Sequence, residues 1–173
     1  MMNYNNKIIM VPGCLFCPRF QADYSEKNME WIIKLREYIS KCEIGIIQMP
    51  CPEASFPQFT KGLSRKPHGL KYYNELLGFQ EHCKALATDV VQLISDLQKN
   101  GCDVITIIGV EHSPTCAVNY IYTHQGMIHS KGIFFKEIDK LLEDRKIDIT
   151  YIGVNRRYYQ KGLCEIDNLL HVQ

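Results

Sequence analysis

The sequence predicts an α/β fold: an open, mostly parallel sheet flanked by helices. Two observations carry that reading. Four short runs are rich in β-branched residues and nearly continuous in apolar character, as strands covered on both faces of a parallel sheet are. Stretches of helical periodicity lie between them, and strand alternating with helix means βαβ units that close into an open sheet.

The first run, Lys7-Ile8-Ile9-Met10-Val11, leads into Pro12-Gly13-Cys14. Residues 25–42 then repeat Met29, Ile32, Ile33 and Tyr38 or Ile39 toward one side, which predicts a helix. The second run, Ile44-Gly45-Ile46-Ile47-Gln48-Met49, ends in Pro50-Cys51-Pro52-Glu53. A basic loop over residues 61–71, with Pro67 and Gly69, precedes a long helical pattern over residues 75–99, in which Leu76, Phe79, Cys83, Leu86, Val90, Leu93, Ile94 and Leu97 recur. Asn100-Gly101 supplies the left-handed stop expected just past a helix.

The third run covers residues 103–110 and leads into Glu111-His112-Ser113-Pro114-Thr115-Cys116. Residues 118–133 break the rhythm. Tyr120, Tyr122 and the turns at Gly126 and Gly132 predict an extended excursion or a hairpin on the rim. A helix over roughly residues 134–143 then feeds the last strand, at residues 148–154.

With 173 residues, the chain has the length of one ordinary domain and is read as a single domain over residues 1–173. Its 46% hydrophobic and 23% charged residues are those of a globular protein. Lys plus Arg, 20 in number, nearly balance 19 Asp plus Glu, so no nucleic acid or acidic membrane partner is expected. No run is long enough for a signal segment or a membrane span. Eight cysteines without a secretory signal predict a reducing, cytoplasmic setting in which thiols pack, bind metal or do chemistry. The expected state is monomer or homodimer.

Ligands of open parallel sheets bind outside the carboxyl ends of the strands, so the loops carrying Cys14, Cys51 and Cys116 should emerge on one edge. Three converging thiols suit a soft metal centre with one position left open, because thiolates are the preferred ligands of zinc, cuprous copper and iron–sulfur clusters. Spacing alone leaves that reading level with cysteines that simply pack at strand ends. Cys17, in Cys14-Leu15-Phe16-Cys17, is a spare fourth ligand or a loop residue. Cys42, Cys83, Cys102 and Cys164 read as buried small hydrophobes.

The segments Val11-Pro12-Gly13-Cys14-Leu15, Gln48-Met49-Pro50-Cys51-Pro52-Glu53 and Gly109-Val110-Glu111-His112-Ser113-Pro114-Thr115-Cys116 resemble the 2-thiouracil desulfurase family. The resemblance runs from the first strand to about Leu142. It implies a Rossmann-like domain in which Cys14, Cys51 and Cys116 hold a 4Fe-4S cluster whose fourth iron is open to the substrate's sulfur. It also implies catalytic roles for Glu53 and Ser113. The chain departs from the family pattern at Phe16-Cys17-Pro18-Arg19-Phe20 and at Ala117, positions expected to line the pocket and to bear on the substrate.

The expected activity is a non-redox desulfurisation of a small thiolated compound, thiouracil-like or another thioamide, with Glu53 as general base and Ser113 holding the substrate or relaying a proton. Read without the resemblance, Glu53 is a helix-start carboxylate and Ser113 a turn residue. The competing functions are a non-catalytic metal- or sulfide-binding module closed by Cys14, Cys17, Cys51 and Cys116, and a dithiol switch at Cys14 and Cys17. Secondary candidates are His112, the residues Lys61, Arg65, Lys66, His68 and Lys71 as a lid for an anionic group, and Tyr72 and Tyr73 as a stacking wall.

Overall fold

The computed structural model describes residues 6–17, 20, 29–42, 44–60 and 68–171. Its first elements are β1 (Lys7–Pro12), a 3-10 turn (Gly13–Leu15), α1 (Glu30–Lys41) and β2 (Gly45–Met49). Three short helices follow, α2 (Pro52–Ser55), α3 (Pro57–Thr60) and α4 (Leu70–Glu75), and then the long α5 (Phe79–Lys99). The second half runs β3 (Asp103–Val110), β4 (Tyr120–Thr123), β5 (Gly126–His129), α6 (Ile133–Asp144), β6 (Thr150–Val154) and α7 (Tyr159–His171).

β2, β1, β3 and β6 form one parallel sheet in that order. The apolar runs lack strict alternation because both faces of this sheet are covered. Ile9, Val11, Ile108 and Val110 face a core shared with Trp31, Ile32 and Leu35 of α1 and Ile166 of α7. Met10 and Ile107 face the opposite core, built on Cys83, Val90 and Ile94 of α5 and Phe134, Phe135 and Ile138 of α6. The predicted α/β class and the four strands are therefore present, and β4 and β5 pair antiparallel as the hairpin expected over residues 118–133.

Two points differ from the sequence reading, the division at Gly78 and the last helix. The pattern over residues 75–99 divides at Gly78, whose φ of +80° is a left-handed conformation that glycine adopts freely, so α4 and α5 are separate helices. The predicted start of the first helix, residues 25–28, lies outside the described residues, and α1 is described from Glu30. The sequence reading missed α7 altogether. Its interior Gly162 weakens the helical signal, yet a Cβ there would stand 2.9 Å from Val154 Cγ2, so the missing side chain is what lets α7 lie against β6. Among the described residues, no helix is long and apolar enough to cross a membrane.

Candidate functional site

The chain leaves β1 toward β2 on one side and later returns to β3 on the other, which makes the β1/β3 boundary a switch point with a crevice at the carboxyl ends of the strands. A cavity of about 160 Å³ lies there. Cys14, Cys51, Glu53, Ser113 and Cys116 all line it, so the five residues expected at the site converge on one pocket.

Each cysteine is placed by a local device. Cys14 belongs to the 3-10 turn that follows Pro12, and Gly13 opens the turn because a Cβ there would meet the Met49 carbonyl oxygen at 3.0 Å. Cys51 precedes α2, whose first residue is Pro52; proline suits this position because its fixed φ is already helical and its missing N–H would have no partner there. Cys116 closes a tight loop. Its carbonyl accepts from Val110 N–H at 3.0 Å across Gly109, where a Cβ would come within 2.5 Å of that same oxygen.

Glu111 locks the far side of this loop. Its buried carboxylate accepts from the Asn119 side-chain amide at 2.7 Å and from Tyr120 N–H at 3.0 Å. Gly153 on β6 leaves the room it needs, since any Cβ there would overlap the carboxylate. His112 follows with φ of +69°, a costly conformation for a non-glycine residue, held by its N–H donating to the Tyr120 carbonyl at 2.8 Å.

The three thiols feel one another. Burial, and then the proximity of Cys51, pushes Cys14 up to about 12; the Arg156 guanidinium works in the opposite direction. Burial, then Cys51, also raises Cys116 well above its ordinary value, with Cys14 adding to the effect. So raised, Cys14 and Cys116 are neutral thiols near neutral pH. A coordinated thiol is deprotonated outright, so any metal bound by these thiols would release protons on loading.

Glu53 and Ser113 are joined by Thr115, which the sequence reading passed over, and Glu53 also meets Tyr73, which was read only as a stacking candidate. Tyr73 O–H donates to Glu53 Oε2 at 2.9 Å, and Thr115 O–H donates to Glu53 Oε1 at 2.7 Å. Thr115 Oγ1 also lies 3.1 Å from Ser113 Oγ. Glu53 does stand in the first turn of α2 as a helix-start carboxylate, with its two oxygens accepting from Tyr73 and Thr115. The turn role for Ser113 does hold: its Oγ accepts from Thr115 N–H at 3.3 Å and Cys116 N–H at 3.1 Å.

The secondary candidates divide. His112 lines the pocket with its ring 4.4 Å from that of Tyr122, and His68 lines it while stacking on Tyr72 at 3.6 Å. Tyr73 is packed into the core and also lines the pocket. Lys71 is exposed and pairs with Glu75 at 3.8 Å, away from the pocket. Lys61, Arg65 and Lys66 lie outside the described residues. Arg156, which lines the pocket just beyond β6, was missed; the strand-end rule that singled out the cysteines points to it as well.

Cys17 is only partly buried and does not line the pocket, so it is not placed as a fourth thiol there. Cys83 is buried as expected, whereas Cys164 is exposed and Cys42 and Cys102 are partly so. Among the described residues, no three His, Cys, Asp or Glu side chains group as the ligands of a single metal ion. That weighs against a mononuclear site. A polynuclear cluster makes a different demand, because each thiolate binds its own iron, and an all-sulfur donor set from three separate loops fits that demand.

Residues 6–130 match the model of a family described as "Putative 2-thiouracil desulfurase". That span includes the three cysteines, Glu53 and Ser113, and excludes Arg156. The chain is also similar to the uncharacterized protein MJ0003 of Methanocaldococcus jannaschii, with 32% identity over 106 residues, covering 61% of this chain and 60% of that protein. The match thus spans less than two thirds of the relative's length. No solved structure matches the chain.

Proposed function

The chain belongs to the 2-thiouracil desulfurase family, and on that premise we propose that it hydrolyses the C–S bond of a small thioamide, thiouracil-like in character, and releases sulfide. The observation that carries the reading is the convergence of Cys14, Cys51 and Cys116 with Glu53 and Ser113 on one pocket.

Cys14, Cys51 and Cys116 would hold a 4Fe-4S cluster. When bound, that group supplies an iron without a protein ligand, a soft Lewis acid for a thiocarbonyl sulfur. The chain's own residues do the rest. Val110 and Pro114 give the pocket apolar walls. Glu53 keeps further lone pairs beyond those that accept from Thr115 and Tyr73, and through one of them takes a proton from the attacking water. Ser113 stands at the same edge, bonded to the Thr115 hydroxyl that in turn holds the Glu53 carboxylate.

The overall change replaces C=S by C=O, consumes one water and liberates hydrogen sulfide, so no electron is gained or lost. Arg156, beside Cys14, offsets negative charge gathered on the thiolates.

Anaerobically reconstituted protein incubated with 2-thiouracil tests this reading. Sulfide released in step with uracil, and lost in Cys51→Ala, is the expected result. Release that persists unchanged in Cys51→Ala, or no release from any thioamide supplied, overturns it.

A further inference from the structure

We propose that Thr115 is a positioning residue for the desulfurisation: its hydroxyl is the link through which Ser113 and Glu53 act as one unit. The proposal rests on the reading above for its chemistry, and on hydrogen-bond geometry for the link itself.

Thr115 is 1% exposed, and its Oγ1 stands 2.7 Å from Glu53 Oε1, a separation typical of a hydroxyl donating to a carboxylate. A threonine hydroxyl has one proton to give and two lone pairs. With that proton committed to Glu53, Oγ1 can only accept from its other polar neighbour. The contact of 3.1 Å between Ser113 Oγ and Thr115 Oγ1 therefore has Ser113 as donor. Thr115 Oγ1 also lies 3.4 Å from Cys116 Sγ, the longest of these contacts and the weakest competitor for the proton.

The direction of the whole chain follows. Ser113 donates to Thr115, and Thr115 donates to Glu53, whose other oxygen accepts from Tyr73. Ser113 Oγ meanwhile accepts from Thr115 N–H and Cys116 N–H, so both its lone pairs and its proton are engaged. No hydroxyl in this set is left to rotate. Thr115 thereby fixes where the Ser113 proton points and where the Glu53 carboxylate faces, two alignments that the separate loops after β2 and β3 would otherwise set independently. A valine at 115 has nearly the same shape but breaks both bonds at once, whereas a serine restores them.

Two measurements decide it. The first is steady-state sulfide release by reconstituted Thr115→Val and Thr115→Ser, each matched to the unsubstituted protein in iron content. Thr115→Val should lower kcat by about 100-fold, the scale of a lost acid–base alignment, with KM nearly unchanged, and Thr115→Ser should recover most of the loss. A kcat within about twofold of the unsubstituted protein in Thr115→Val, or no recovery in Thr115→Ser, overturns the proposal.

The second needs no activity. Melting temperatures of the metal-free Ser113→Ala, Glu53→Gln and doubly substituted proteins should be non-additive, and the non-additivity should vanish when Thr115→Val is added. Additive shifts in the Thr115 protein overturn the link. If no thioamide yields sulfide, the catalytic reading fails while the melting cycle still tests the link.

Discussion

A Cβ built on Gly132 would lie 2.3 Å from the carbonyl carbon of Thr115, so the start of α6 and the loop of the third cysteine are in backbone contact. The first N–H groups of α6 use that closeness: Ile133 donates to the Pro114 carbonyl at 3.0 Å and Phe134 to that of Thr115 at 3.1 Å. Helix-terminal donors that lack intrahelical partners thus hold the loop that carries Cys116.

Gly132→Ala should therefore do more than lower helix propensity. The overlap is with backbone and cannot be relieved by a rotamer change, so a loss of roughly 1–3 kcal/mol or more is expected in urea denaturation, together with reduced iron retention. Full stability in Gly132→Ala would contradict the packing described.

Tyr73→Phe keeps the buried ring and removes only the O–H that reaches Glu53. A hydrogen bond to a charged acceptor is worth about 1.5–3 kcal/mol, and a loss of that order is expected, with slower sulfide release. Tyr72→Phe, whose ring stacks on His68, is the control and should change neither quantity appreciably.

Much of this was legible in the residues themselves. The continuous apolar runs and the helical periods between them gave the parallel sheet, and the strand-end rule brought Cys14, Cys51 and Cys116 together before any coordinates. Thr115 stayed hidden because, in Ser113-Pro114-Thr115-Cys116, it reads as a spacer; only the approach of Glu53 from another loop gives it a role. Tyr73 was read only as a stacking wall, and its bond to Glu53 stayed hidden because that partner is distant in sequence. Arg156 was within reach, because the rule applied to the cysteine loops applies equally after β6. Cys164 shows the opposite error: an apolar-looking thiol near the chain end proved exposed.

Burial lifts the Cys14 and Cys83 thiols from an ordinary 9.0 to about 12, and Cys116 is raised as well. In the unfolded chain these thiols lose their protons first, so the unfolded state binds fewer protons and the metal-free protein loses stability as pH rises from about 9 toward 12. Denaturant midpoints measured at about pH 8 and about pH 10.5 should fall accordingly. A flat or rising midpoint would count against the buried, neutral thiols.

Arg156 is the cation that eases ionisation of Cys14. Arg156→Ala should take up iron severalfold more slowly than the unsubstituted protein, because loading requires the thiolate, while Arg156→Lys should fall between them. Equal uptake rates in all three would remove Arg156 from the site.

The most direct test of the account is the iron and acid-labile sulfide content of protein purified and reconstituted without oxygen. The account predicts about four irons and four sulfides per chain, with the cluster lost or severely depleted in each of Cys14→Ala, Cys51→Ala and Cys116→Ala and retained in Cys17→Ala. Iron and sulfide well below one cluster per chain, or full loading in the three variants, would contradict it.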